Sequence, residues 1–198
     1  MIVNDLKAYK NYYLVIIDNK EYKFSEDTIV NFRLVKGKEL SKDTLKKALQ
    51  SEDLNYFYNK ALQYQIRYMK GRAEIFNYLI SKGVSINNAN IILNKLEDTK
   101  ILDDKMVASS LTRSYIKDKN GILLIKEKLK DKGFKNEIIE EVLNEIDYDS
   151  YFDSLNSLYN KIKNKYDKFD DYIRVNKIKA YLLSRGYTFS DISELNIK

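Results

Sequence analysis

The chain of 198 residues contains no histidine, no cysteine and no proline, and only six glycines. Without histidine, the commonest general base and the commonest metal ligand are gone. Without cysteine, disulfides and thiolate metal sites are excluded, and the composition suits a reducing compartment. Any catalysis would fall to Asp, Glu, Lys, Tyr or Ser alone. Gly71, Gly83 and Gly121 stand isolated, so no glycine-rich loop cradles a phosphate and no ATP site or other cofactor is expected. Met1 is followed by Ile-Val-Asn-Asp, which does not read as a signal peptide, and the longest apolar run, Tyr12 to Ile17, is far too short to span a bilayer. The sequence reads as a soluble cytoplasmic protein with no membrane partner. The scarcity of helix breakers argues for a mainly α protein in which the few glycines mark helix ends.

Lys plus Arg outnumber Asp plus Glu by 35 to 29, a net charge of +6. This favours a polyanion or an acidic partner surface. The 17 tyrosines could stack on bases, or could fill half-buried helix positions.

Three stretches share one pattern: YLISKG ending at Gly83, KLKDKG at Gly133 and YLLSRG at Gly186. Counting from each Gly, position −8 is Ile75, Ile125 and Ile178, and position −4 is Leu79, Leu129 and Leu182. Position −1 is Lys82, Lys132 and Arg185, and position +1 is Val84, Phe134 and Tyr187. Position +6 is Ala89, Ile139 and Ile192, and position +9 is Ile92, Val142 and Leu195. Steps of three and four are helical on both sides of the Gly. The Gly is then the left-handed residue of a Schellman ending, with the Leu at −4 touching the apolar residue at +1 and a cation in the last turn, where the helix dipole favours it. A unit of about fifty residues has room for a third helix before each pair. Leu54 to Met69, Asp104 to Lys117 and Asp149 to Tyr166 supply those segments, each with an apolar stripe, and Asp103 or Asp104 is a candidate N-cap for the second.

The expected fold is an elongated array of three three-helix modules behind a small N-terminal β-hairpin segment. The boundaries are 1–44 for the hairpin segment and a short helix, 45–101 for module one, 102–147 for module two and 148–198 for module three. In the first segment YYLVII and EYKFS flank Asp18-Asn19-Lys20 as a hairpin would. SEDTIVNFRLV follows as a short helix with Ser25 as its N-cap.

The modules resemble the RecX family, small bacterial regulators of the RecA recombinase. Ala61-Leu62, Arg72-Ala73-Glu74-Ile75 and Leu79 to Gly83 resemble the family's first module. Leu102-Asp103-Asp104 with Ala108 resembles the opening of its second, and Gly121, Ile125, Leu129 and Lys132-Gly133 resemble that module's ending. Lys177, Ile178, Leu182 and Arg185-Gly186-Tyr187 resemble the end of its third. Two positions depart: Ala73 stands where the family has a Ser, read as the loss of an N-cap, and Ile122 where it has a Pro. Each weakened cap would cost about 1 kcal/mol. The resemblance implies a binding protein rather than an enzyme. It would bind the RecA–single-stranded-DNA filament and lower its ATPase and strand exchange in DNA repair and the SOS response.

Candidate contact residues for RecA or DNA are the cations beside the apolar stripes: Lys70 and Arg72; Lys126, Lys128 and Lys130; Arg174, Lys177 and Lys179. Arg113, on the first helix of module two, is one of six arginines and could contact a phosphate or carboxylate bidentately. In register these would form a basic band; unaligned, they are solvated helix faces. Lys161 to Lys168 is the densest basic run and reads as the exposed side of a helix. Glu137, Glu141 and Glu145 share a helical face, but without histidine or fixed ligand geometry no metal site is expected. Gly83, Gly133, Gly186, Asp103 and Asp104 are read as structural caps, and the array as a self-capped monomer. The alternative reading is a basic helical-repeat protein that binds DNA directly and affects RecA only by competition.

Overall fold

The computed structural model describes residues 1–195 and residue 197. The N-terminal segment is a three-stranded antiparallel sheet in the order β1-β2-β3, with β1 Val3–Ala8, β2 Tyr13–Ile17 and β3 Lys20–Phe24. The β2–β3 hairpin turns through Asp18 and Asn19, whose φ values of 47° and 63° are those of a primed turn. The sheet holds one strand more than the hairpin expected from the sequence. VNDLKA hides β1 because Asn and Asp are poor strand formers and because the register slips between Val3 and Asp5, which breaks the period of two. Val3, Val15, Ile17 and Phe24 are fully buried on one face. A lone hairpin is marginal in water; here the sheet packs against α1 and α2.

Helix α1 (Glu26–Phe32) is capped by Ser25, whose Oγ accepts from the Thr28 N–H at 3.4 Å. Ser25 in turn donates its N–H and Oγ–H to the Glu52 carboxylate, at 2.7 and 2.9 Å, which ties α1 to the next helix. Helix α2 runs unbroken from Lys42 to Tyr68, 27 residues. The sequence reading began it at Leu54, but Ser41 starts it earlier by accepting from the Thr44 N–H at 3.0 Å. The two ends of α2 serve different cores. Leu45 and Ala48 pack with the sheet, whereas Ala61, flanked by Phe57, Tyr58 and Leu62, packs with the helices that follow.

Those helices are α3 (Arg72–Ser81), α4 (Ile86–Asp98), α5 (Asp104–Lys117), α6 (Ile122–Asp131), α7 (Asn136–Asn144), α8 (Tyr148–Ile162), α9 (Asp171–Ser184) and α10 (Phe189–Ser193). They pack in threes: α2 with α3 and α4, α5 with α6 and α7, and α9 with α8 and α10. A 3-10 turn, Lys163–Tyr166, ends α8 at Ile162, so the basic run Lys161–Lys168 is not one helical face. The second and third groups share a single apolar core that runs from Val107 to Leu195; the first has its own.

Each middle helix ends the same way. Gly83, Gly133 and Gly186 have φ values of 83°, 81° and 84°. Their N–H groups donate to Ile80, Lys130 and Leu183, and the following N–H groups of Val84, Phe134 and Tyr187 donate to Leu79, Leu129 and Leu182. These are three complete Schellman motifs. The hydrophobic partners of each motif are buried together: Leu79, Leu129, Leu182 and Tyr187 are fully inaccessible. Ala73 lies inside α3, two residues past its N-cap Gly71, so its methyl removes no cap, contrary to the sequence reading.

Candidate functional site

The groups are joined by a repeated junction that sequence spacing did not reveal. The middle helix of one group starts at a glycine, and that glycine packs against the Schellman turn of the next. Gly71 opens α3, and a Cβ there would lie 2.7 Å from the Phe134 ring. Gly121 opens α6, and a Cβ there would overlap the backbone of Gly186 and Tyr187. Neither start has a side-chain cap of its own. Instead the first free N–H of the helix is taken by a side chain from the next group. The Arg72 N–H donates to Asp104 Oδ1 at 2.7 Å, and the Ile122 N–H donates to the Tyr151 hydroxyl at 3.1 Å. Asp103 caps α5 itself through the Met106 N–H at 2.9 Å, leaving Asp104 to cap its neighbour. A proline at 122 would have no N–H to give; with Ile122 the N–H exists and Tyr151 uses it.

Burial pushes the Asp104 carboxyl up, against the pull of the Arg72 N–H. Burial also pushes the Tyr151 hydroxyl well up; it donates to Asp191 Oδ2 at 2.9 Å, and Asp191 accepts as well from the Thr188 N–H at 2.7 Å. Arg185, the cation of the third Schellman turn, reaches back to the end of α5 and donates to the carbonyls of Asp118 and Lys119 at 2.7 and 3.1 Å. Lys132, its counterpart in the second turn, meets Glu74 of α3 at 3.4 Å, beside Lys70 at 2.9 Å. Burial alone would raise the Glu74 carboxyl, but the two ammonium groups outweigh it and hold the carboxyl below its usual range.

The candidate contact cations fall into three sets. Lys70 pairs with Glu74, Arg72 with Glu97, Lys126 with Glu140, and Arg174 with Asp171 at 2.9 Å. Their charge is spent largely inside the protein. Lys128 lies 4.8 Å over the Tyr115 ring and Lys177 4.6 Å over Phe169, in cation–π contacts. Arg113, Lys130 and Lys179 are exposed and meet no carboxylate among the described residues. The face Glu141–Glu145 is taken by Lys105 at 2.7 and 2.8 Å, which strongly raises the lysine's affinity for its proton. No cluster suited to a metal occurs among the described residues, and none of the described helices is long and apolar enough to cross a membrane.

Two surface features remain. One is an aromatic group on α2 and α3. Tyr64 stacks on Tyr78 at 4.2 Å and 2°, Tyr68 lies 5.0 Å from Tyr64, and Lys82 and Arg67 lie over Tyr78 and Tyr68. The other is a cleft of about 770 Å³ where α5, α7 and α8 meet. Ile116, Val142 and Ile146 form its apolar floor, and Arg113 and Asp153 stand on its walls. The sequence gives no sign of the cleft, because its walls come from segments some forty residues apart.

This geometry has counterparts among known proteins. A model of the RecX third three-helix domain matches residues 149–195. The regulatory protein RecX of Streptococcus mutans is 28% identical over 193 residues, covering 96% of this chain and 74% of that protein. The regulatory protein RecX of Bacillus licheniformis is 30% identical over 183 residues, covering 90% of this chain and 69% of that one. The chain belongs to the RecX family. The RecX structure from Lactobacillus salivarius superposes with a TM-score of 0.69 at 28% identity, over 73% of this chain and 94% of that one. A second RecX crystal structure gives 0.87 over 97% of both chains, and at 23% identity it speaks for the fold. The RecX relatives are named regulatory proteins. The three-helix domain of the family corresponds to α8, α9 and α10, the group closed by the Gly186 turn.

Proposed function

We propose that this RecX-family chain regulates RecA by binding the RecA–single-stranded-DNA filament, and that it lowers the filament's ATPase and recombinase activity. It acts as a monomer in the cytoplasm and turns over no substrate. The observation that carries this reading is the junction architecture. Helix starts in one group are capped by side chains of the next, and the last two groups share one core. Such an array holds its outward side chains at fixed spacing, which suits a partner that is itself a periodic polymer. Arg113, Lys130 and Lys179, exposed and without carboxylate partners among the described residues, are the cations of the predicted band most available to acidic protein surface or phosphate.

A second reading is direct DNA binding with only competitive effects on RecA. The Tyr64–Tyr78–Tyr68 group with Lys82 and Arg67 favours it, because stacked aromatics among cations suit a single strand. RecA ATP hydrolysis on single-stranded DNA, titrated with this protein beside a binding assay on the bare strand, separates the two. Suppression well below one molecule per RecA, with weak binding to bare DNA, supports filament regulation. Suppression only at concentrations that coat the DNA overturns it in favour of competition.

A further inference from the structure

The cleft between α5, α7 and α8 combines two kinds of lining. Its floor is apolar, yet its walls are rich in hydroxyls: Ser109 and Thr112 come from α5, Ser154 and Ser157 from α8. Thr112 is only 3% exposed, and its Oγ1 has no hydrogen-bond partner among the described residues. A buried hydroxyl left without a partner is destabilising unless something fills its place. The Ser154 hydroxyl, by contrast, is already donated to the Ile116 carbonyl.

The charges on the rim are not balanced. On the α7–α8 side, Glu145 is held by Lys105, and Asp147 is occupied in capping α8 through the Ser150 N–H and hydroxyl. Asp153 is the acidic group left on that wall without a cation among the described residues. On the α5 side Arg113, Lys117 and Lys119 line the cleft, and none meets a carboxylate among the described residues. An occupant must therefore offer an apolar group for the floor, an acceptor or donor for Thr112, and carboxylates for the α5 wall. A nucleic-acid strand fits less well, since its phosphates repeat along the whole strand and would pass Asp153, whereas a protein segment can place its carboxylates on the α5 side alone.

We propose that this cleft is a docking site for an acidic protein segment with one apolar anchor side chain, the anchor seated on Ile116, Val142 and Ile146 and its flanking carboxylates on Arg113 and Lys117. This rests on the filament reading above, with the segment belonging to RecA. A buried anchor side chain in a pocket whose rim excludes water is the usual form of an interface hot spot.

The test uses the full chain and RecA filaments on single-stranded DNA, with bare DNA in parallel. Ser157 and Arg113 are both exposed, so Ser157→Trp fills the cleft and Arg113→Glu reverses one wall without entering the core. Thermal melting verifies that each variant is folded; Arg113→Glu carries the test alone if Ser157→Trp is not. Wild-type binding to filaments, with both variants weakened by about tenfold or more and bare-DNA binding unchanged, is the expected result. Filament binding equal to wild type in folded variants overturns the cleft while leaving the filament reading intact. Equal losses on filaments and on bare DNA also overturn it, since the cleft would then be reading phosphate. No filament binding by the wild type overturns the filament reading itself, and the cleft's assignment to RecA with it.

Discussion

Substituting alanine at Gly121 and at Gly83 separates two reasons for glycine. Gly121 has φ −78° and ψ 165°, a conformation alanine adopts freely, so backbone strain contributes nothing. Its methyl, however, would overlap the backbone of Gly186 and Tyr187. That backbone is fixed by two hydrogen bonds across the junction, from the Gly121 N–H to Arg185 at 2.8 Å and from the Leu123 N–H to Gly186 at 3.0 Å. Opening the junction to admit a methyl forfeits both, about 1 kcal/mol each. Overpacking against unyielding backbone adds about 1–3 kcal/mol. The expected loss for Gly121→Ala is therefore about 3–5 kcal/mol. At Gly83 nothing lies within 4 Å of an added Cβ, but φ is +83°. Left-handed alanine costs about 1–2 kcal/mol, offset by about 0.5 kcal/mol through a less flexible unfolded chain, for a net loss of about 1 kcal/mol. Urea denaturation followed by far-UV circular dichroism gives both numbers. Hydrogen exchange localises them: Gly121→Ala should speed exchange at Leu123 and Tyr187 before the helices open. A Gly121→Ala variant no less stable than Gly83→Ala would refute the idea that close backbone approach, rather than turn geometry, demands glycine at this junction.

Tyr151→Phe removes the acceptor of the Ile122 N–H and a donor to buried Asp191, and should lower stability by about 1–3 kcal/mol in the same denaturation assay. Glu74, held below its usual value of 4.5 by Lys70 and Lys132, adds stability that is complete above that pH and fades as the pH falls through its lower folded value. Glu74→Gln should therefore be less stable than wild type at pH 7, with the difference narrowing toward pH 3, as urea midpoints across that range would register. Lys119 sits at φ 60° at the end of α5, a position that suits glycine. Lys119→Gly should gain roughly 0.5–1 kcal/mol, read from the thermal midpoint.

How much of this was readable from residues alone depends on the range of the interaction. The Schellman turns were legible because Leu79, Gly83 and Val84 settle the matter among themselves, as do the equivalent residues at Gly133 and Gly186. Ser25 was legible for the same reason. The junctions were not. Asp104 acts 32 residues away on Arg72, and Tyr151 acts 29 residues away on Ile122, so no local spacing announces either. Asp104 beside Asp103 looked like a choice between two caps for one helix, whereas each caps a different one. The basic band was read from charges whose partners lie on other helices: Glu97 for Arg72 and Glu140 for Lys126 remove two of its members from simple solvent exposure. Strand β1 escaped because its bulge defeats alternation.

The unbroken run of α2 has a geometric consequence. It is 27 residues long, about 40 Å, with the sheet packed near its start and the first helical core near its end. The angle at which the sheet faces away from the array is therefore counted in residues. One residue inserted at the middle of α2 would swing the sheet by about 100° and advance it by about 1.5 Å. Seven would return it to within about 20° of its original bearing while moving it about 10 Å outward. The helix works as a graduated shaft, and a partner that needs both the sheet and the array would tolerate the seven-residue insertion far better than the single one.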